Sequence, residues 1–184
     1  MSTPTPGTYQ IDPAHSSIEI VARHLVVSKV RGAFGTFSGE IKISDSAADS
    51  SVNVEIDTTT INTNSEDRDG HLRSPDFLNV EEFSTATFSS TSVEGNGDGK
   101  YVLNGDLTLV GVTKPISIDF TFAGQALDPW GNSRALFTGT TEIDREDFGL
   151  TWNQVLEGGG LLVSKKLAVE LEVQGVPATV DADA

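Results

Sequence analysis

The chain has 184 residues, an apolar fraction of 37% and a formal net charge of −15. This composition suits one domain with a real core and argues against a nucleic-acid surface, which requires clustered Lys and Arg. The absence of cysteine excludes disulfides and thiolate metal sites.

Alternating apolar and polar residues predict β-strands along most of the chain. Short Gly-rich connections such as residues 94–99 favour antiparallel hairpins. We therefore predict an all-β protein, a closed antiparallel barrel whose pore has room for one small ligand, with a β-sandwich as the alternative. Eight strands are predicted, around residues 18–24, 32–43, 52–56, 85–93, 101–109, 116–122, 135–143 and 167–173.

The two ends of the chain differ from this pattern. Residues 1–6 are rich in Pro and Thr, and residues 177–184 are acidic and small, so both are predicted to be disordered tails around a domain at 7–176. The first residues lack the basic region and the apolar run of a signal peptide. The chain also contains no run of about 20 apolar residues, so no membrane-spanning helix is predicted. We expect a cytoplasmic protein, or a periplasmic or secreted one if a leader was removed.

Residues 67–83 interrupt the strand pattern with a charged, Pro-containing insert. Thr63 and Glu66 have the spacing of a capping box, which predicts a short helix. Ser74-Pro75 is typical of the start of a second short turn. One or two short helices are therefore expected at the rim of the barrel.

The charges of this insert have two interpretations. Arg68, His71 and Arg73 could form an anion-binding rim, because Arg binds phosphate through two parallel hydrogen bonds. Alternatively, the insert is a surface helix with an Asp69–Arg73 ion pair at i,i+4 spacing. A separate candidate, His24, follows apolar residues on one strand face, and it is either a hydrogen-bonded core histidine or a contact to a ligand head.

Motifs for catalysis and metal binding are weak. None of the three histidines lies in a zinc motif, and the Ca²⁺-loop-like start at Glu94 has Gly105 where the bidentate Glu is needed. The acidic residues around Arg145 are interpreted as a solvated turn with a local ion pair, with a carboxylate dyad as the alternative. We predict no catalytic residue, no metal and no cofactor.

Several motifs, in order and spacing, resemble the YceI-like family. They lie at residues 11–16, 23–34, 38–39, 68–77, 105–115 and 145–149, and the resemblance spans about residues 7–175. It implies a lipocalin-like antiparallel barrel that binds a polyisoprenoid chain in its pore. Family members are often exported, whereas no leader is visible here. Ile20 and Gly70 depart from residues common in the family.

The resulting hypothesis is a non-catalytic carrier of a polyisoprenoid or an isoprenoid quinone. On this hypothesis the protein binds a lipid, does not bind nucleic acid and does not insert stably into a membrane, and a homodimer is possible. The polar end of the ligand is assigned to His24, Arg68, His71 and Arg73. Candidates for the pore or its plugs are Ile18, Ile20, Phe34, Phe77, Phe83, Leu103, Ile118, Phe120 and Phe137.

Two alternatives make different structural predictions. A barrel with a solid core, acting as a stress-related interaction protein, predicts a pore filled by Phe side chains. An enzyme acting on a small amphiphile predicts a His or carboxylate with a strongly shifted pKa inside the cavity. Strand parity alone does not decide which face lines the pore.

Overall fold

A computed structural model describes residues 3–25, 27–129, 131–157 and 159–178. The described residues form one helix, α1 (Glu66–Arg73), and short 3-10 turns at Ala47–Asp49, Thr58–Thr60 and Arg145–Phe148. Of the predicted disordered tails, residues 1, 2 and 179–184 lie outside the described residues. The strands are β1 (Gly7–Ile11), β2 (Ser17–His24), β3 (Ser28–Phe34), β4 (Phe37–Ile43), β5 (Ser51–Asp57), β6 (Ile61–Asn62), β7 (Thr85–Gly97), β8 (Lys100–Leu109), β9 (Val112–Leu127), β10 (Ser133–Asp144) and β11 (Lys166–Pro177).

Hydrogen bonding closes the strands into a ring. The order β1-β4-β5-β7-β8-β9-β10-β11 returns to β1, and every pairing is antiparallel. The strands β2, β3 and β6 share three of the eight positions around the barrel with β1, β4 and β5, respectively. For example, β1 and β2 pair with successive parts of β11, and β3 and β6 follow β2 in the sheet. The structure therefore confirms the predicted eight-position barrel, and the sandwich alternative is wrong.

The connections separate the barrel into two ends, because each strand runs opposite to its neighbours. The β4–β5, β7–β8 and β9–β10 connections lie at one end, called the hairpin end. The β2–β3, β8–β9 and β10–β11 connections and α1 lie at the other, called the helix end. Two-residue hairpins form where positive φ is tolerated, as at Asp98 and Gly99, with φ of 53° and 73°.

The helix end is packed with protein side chains. Phe34, Leu78, Phe148 and Leu150 are buried there in the main hydrophobic cluster. Arg145 is buried beside them, and its guanidinium donates to the carbonyl oxygens of Ser164 (3.0 Å) and Leu150. The expected solvated turn with a local ion pair around Arg145 is therefore wrong. Burial lowers the pKa of this guanidinium.

The helix is present as predicted, but its start is built differently. Ser65 is the N-cap, and it makes no side-chain cap hydrogen bond. Instead the buried carboxylate of Asp69 accepts from the Thr63 backbone N–H (2.8 Å) and hydroxyl (2.5 Å). The predicted capping box is therefore wrong. Nowhere in the described ranges is there a helix long and apolar enough to cross a bilayer.

Candidate functional site

The barrel interior contains a cavity of about 410 Å³. It is lined by inward-facing aliphatic and aromatic side chains from all eight strand positions, from Ile11 on β1 to Val173 on β11. Its size lies within the range of about 300–1,000 Å³ that is typical of small-molecule sites. A mostly apolar lumen of this size can remove a flexible hydrocarbon chain from water.

The alternation of the strands explains this lining. On β8, β9 and β11 every second residue faces inward, as Leu103, Ile118 and Leu171 do. At two inward positions a glycine faces an aromatic ring: a Cβ on Gly105 would lie 2.4 Å from the Phe88 ring, and one on Gly139 would lie 3.0 Å from the Phe120 ring. Both rings thus lie over glycine on the neighbouring strand.

The cavity opens at the hairpin end. Its lining there includes Lys42 from the end of β4, Asp45 from the β4–β5 connection, and Tyr101 from β8. These two charged side chains are exposed, and they are the only charged ones that the described residues contribute to the lining. The interior is therefore apolar, while the mouth is mixed in charge.

The N-terminal segment lies across the same mouth. Thr3, Pro4 and Pro6 belong to the lining. The Thr5 hydroxyl donates to Gln125 Oε1 (2.6 Å), and the Tyr9 hydroxyl donates to the Thr5 carbonyl (2.9 Å). Within the described part of the predicted tail, these contacts hold the chain against the opening.

An ion pair on the outside of the barrel spans its closing seam. Arg134 on β10 reaches across β11 to Asp12, which lies between β1 and β2. The Arg134 guanidinium, and to a lesser extent His15, lower the pKa of the Asp12 carboxyl to about 2, against the opposing effect of burial. The Asp12 backbone N–H donates to Gln174 on the intervening strand.

Five of the apolar residues predicted to contact a ligand line the cavity. They come from four different strands, which the barrel brings together around one space. Phe120 and Phe137 meet edge to face with ring centroids 6.4 Å apart. The five are Ile18, Leu103, Ile118, Phe120 and Phe137.

The other four predicted apolar residues are absent from the cavity lining. Phe34 is buried in the main hydrophobic cluster, and Ile20 packs against it. Phe77 packs against the same cluster, and Phe83 lies against Gly111 in the β8–β9 turn. Phe34 is buried, whereas Ile20, Phe77 and Phe83 are half-buried.

The four predicted polar contacts also lie away from the mouth. His24 ends β2, where its backbone forms a bridge with Val163. His71 contacts Asp76 (2.9 Å) and packs edge to face against the rings of Phe77 and Trp152. Neither histidine lines the cavity.

The two arginines of the insert are engaged by the backbone. Arg68 donates to the hydroxyl (2.7 Å) and carbonyl (2.8 Å) oxygens of Thr63, and Arg73 donates to the carbonyls of Thr59 (2.9 Å) and Ile61 (3.3 Å). The Asp69–Arg73 ion pair of the alternative interpretation is wrong, because the Asp69 carboxylate accepts from Thr63. Contact between a ligand and His24, Arg68, His71 or Arg73 stays a prediction.

Sequence reasoning missed the mouth. Lys42 and Asp45 carried no motif, and Tyr101 was recognised only as a strand residue. The sequence did contain a signal for the wall of the lumen, because Gly39, Gly105 and Gly139 alternate in step with the inward-facing residues of their strands. Glycine at such positions indicates close approach of another group.

The cavity bears directly on the alternatives. A solid core predicted a pore filled by Phe side chains, but Phe88, Phe120 and Phe137 line an open space. An enzyme predicted a perturbed His or carboxylate inside. Among the described residues, the lining contains no histidine, and its one carboxylate, Asp45, lies at the exposed mouth.

Comparison with known proteins places the chain among relatives of the same architecture. A family model described as YceI-like domain matches residues 9–175. A UPF0312 protein of Vibrio parahaemolyticus is 48% identical over 145 residues, covering 77% of each chain. The crystal structure of Burkholderia cenocepacia BcnA superposes with a TM-score of 0.79 at 21% identity, covering 89% of this chain and 98% of that one. A polyisoprenoid binding domain from Saccharophagus degradans gives a TM-score of 0.67 at 18% identity, covering 95% and 100%.

Proposed function

Because the chain belongs to the YceI-like family, we propose that it is a non-catalytic carrier that holds the prenyl chain of an isoprenoid lipid in its barrel. The observation that carries this proposal is the apolar cavity of about 410 Å³ with its mouth at the hairpin end. The structural neighbour from Saccharophagus degradans, described as a polyisoprenoid binding domain, supports the same ligand class.

The size of the cavity suggests how much of a chain it holds. If each non-hydrogen atom takes roughly the 30 Å³ of a liquid water molecule, the cavity holds about 14 atoms, or about three isoprene units. A longer polyprenyl chain would extend through the mouth. The ligand class is therefore a farnesyl-sized chain or the end of a longer one.

Burial of the chain supplies most of the affinity. At roughly 0.8 kcal/mol per CH₂, three isoprene units contribute on the order of 10 kcal/mol. Association and chain ordering remove several kcal/mol of this. The net value corresponds to a Kd between micromolar and submillimolar, which suits reversible loading.

The test is to identify lipid carried by the purified protein. The protein is expressed in a prenyl-lipid-producing host, extracted with organic solvent and analysed by mass spectrometry. A Val169→Phe sample serves as the matched control, because Val169 lines the cavity and a larger side chain narrows it. We expect prenyl lipid from the natural protein and much less from the variant. If the natural protein yields none and takes up no added prenol, the carrier proposal is wrong.

A further inference from the structure

A second, smaller cavity adjoins the mouth of the barrel. It has a volume of about 240 Å³ and is formed by the tip of the β7–β8 hairpin, between Gly95 and Tyr101, together with Thr3. Thr3 and Tyr101 line both cavities. An amphiphile with its chain in the barrel would therefore have its other end at this hairpin.

The hairpin tip is polar because of its sequence. Gly95, Gly97 and Gly99 present backbone without side chains, and Gly97 and Gly99 have positive φ of 77° and 73°. The ring of Tyr101 lies over Gly95, where a Cβ would be 3.7 Å from the ring. The second cavity thus offers backbone groups and one phenol to a ligand.

The polar side chains around the mouth have unused hydrogen-bonding capacity. Within the ranges that the structure describes, no hydrogen bond or ion pair engages the Tyr101 hydroxyl, the Lys42 ammonium or the Lys100 ammonium. Asp45 and Asp98 balance the two lysines, so the combined lining of the two cavities has no net charge. No arginine belongs to either described lining.

We propose that the hairpin cavity binds the head of the lipid carried in the barrel, that the Tyr101 hydroxyl hydrogen-bonds to it, and that this head is uncharged, such as a hydroxyl or a carbonyl group. This inference rests on the proposed carrier function. Phosphate binding in proteins uses clustered cations, above all Arg with its paired donors. The two lysines at this mouth are matched by two aspartates, and the chain carries a net charge of −15, so a phosphate gains less here than it would in a cluster of arginines.

The experiment compares three ligands with the same 15-carbon chain: farnesene, farnesol and farnesyl monophosphate. Their Kd values are measured on the natural protein and on Tyr101→Phe by competition with a dye bound in the lumen. We expect farnesol to bind the natural protein more tightly than farnesyl monophosphate. In the variant we expect a three- to tenfold loss for farnesol and no change for farnesene, because the ring is kept and one hydrogen bond is lost.

Thr140→Val is the control, because it removes a hydroxyl from the exposed outer face of β10 and Thr140 is absent from the lining of both cavities. We expect this variant to bind farnesol and farnesene as the natural protein does.

The outcomes separate the two proposals. Equal effects of Tyr101→Phe on farnesol and farnesene, or no effect on either, overturn the head site but leave the carrier. Tighter binding of farnesyl monophosphate than of farnesol overturns the uncharged head. If none of the three ligands binds, the carrier proposal falls and the head site falls with it.

Discussion

Phe120 on β9 lies directly opposite Gly139 on β10, and its ring occupies the space over the glycine. A side chain at position 139 would meet the ring at 3.0 Å. Phe88 lies over Gly105 in a similar way. Because the rings rest on the wall, the barrel has aromatic residues on its inner face and still keeps an open lumen.

Gly139→Ala should therefore reduce ligand capacity. The added methyl pushes the Phe120 ring toward the lumen, and we expect a three- to tenfold rise in the Kd for farnesol with a stability loss below about 2 kcal/mol. Gly70→Ala is the matched control, because a Cβ on Gly70 meets nothing within 4 Å. Gly70 lies in α1, so this control should stabilise the protein by up to about 1 kcal/mol and leave the Kd unchanged. An unchanged Kd for Gly139→Ala would contradict the role of the glycine.

Filling the lumen directly should have a larger effect. Val169 lines the cavity, whereas its neighbour Ala168 is exposed on the other face of β11. Val169→Phe should weaken farnesol binding at least tenfold, and Ala168→Phe should leave it unchanged, as measured by dye competition. Equal affinities in the two variants would place the bound chain outside the barrel.

Arg73→Ala should affect folding and not binding. Its guanidinium joins α1 to the carbonyls of Thr59 and Ile61. Loss of these bonds should lower the free energy of unfolding by about 1–3 kcal/mol in urea denaturation. Arg31→Ala, which removes an exposed arginine bound to Glu19 and Glu170, should cost less. A selective loss of ligand affinity in Arg73→Ala would instead support the predicted anion-binding rim.

Asp12 should give the protein an acid-dependent loss of stability. Arg134 lowers the pKa of Asp12 from its usual 3.8 to about 2, so the ionised carboxylate stabilises the folded state above pH 4, and this contribution is lost as the pH falls toward 2. Because the ion pair is partly exposed to solvent, its contribution to the free energy of unfolding is about 1 kcal/mol.

The variant Asp12→Asn lacks this contribution. The natural protein should be more stable than this variant at pH 7, and the difference in unfolding free energy between the two should be roughly half as large at pH 3. Urea denaturation of both proteins at the two pH values measures this difference. A difference that stays constant with pH would mean that the Asp12–Arg134 pair does not stabilise the barrel.

The sequence was informative where one local pattern had one structural solution. Strict alternation such as Ile116-Ile118-Phe120 predicted strands, and glycines with Asp98 predicted a hairpin with positive φ. Eight such strands with short turns favoured a closed barrel, and the structure has one. The short β1 and β6 were missed, because two to five residues give too little periodicity.

The site was harder to predict because it depends on which end of the barrel is closed. The cluster of Arg68, His71 and Arg73 stood out by charge, yet it lies at the helix end, away from the mouth. The mouth at Lys42 and Tyr101 depends on contacts between residues far apart in the chain. Asp69 shows the same limit, since its bond to Thr63 replaced the expected capping box.

The most direct measurement is a crystal structure of the protein soaked or co-crystallised with farnesol. We expect continuous elongated density inside the barrel, between Leu103, Ile118 and Leu171, with the oxygen end of farnesol toward Tyr101. Density for the ligand only outside the barrel, with Phe120 and Phe137 turned inward to close the lumen, would contradict this expectation.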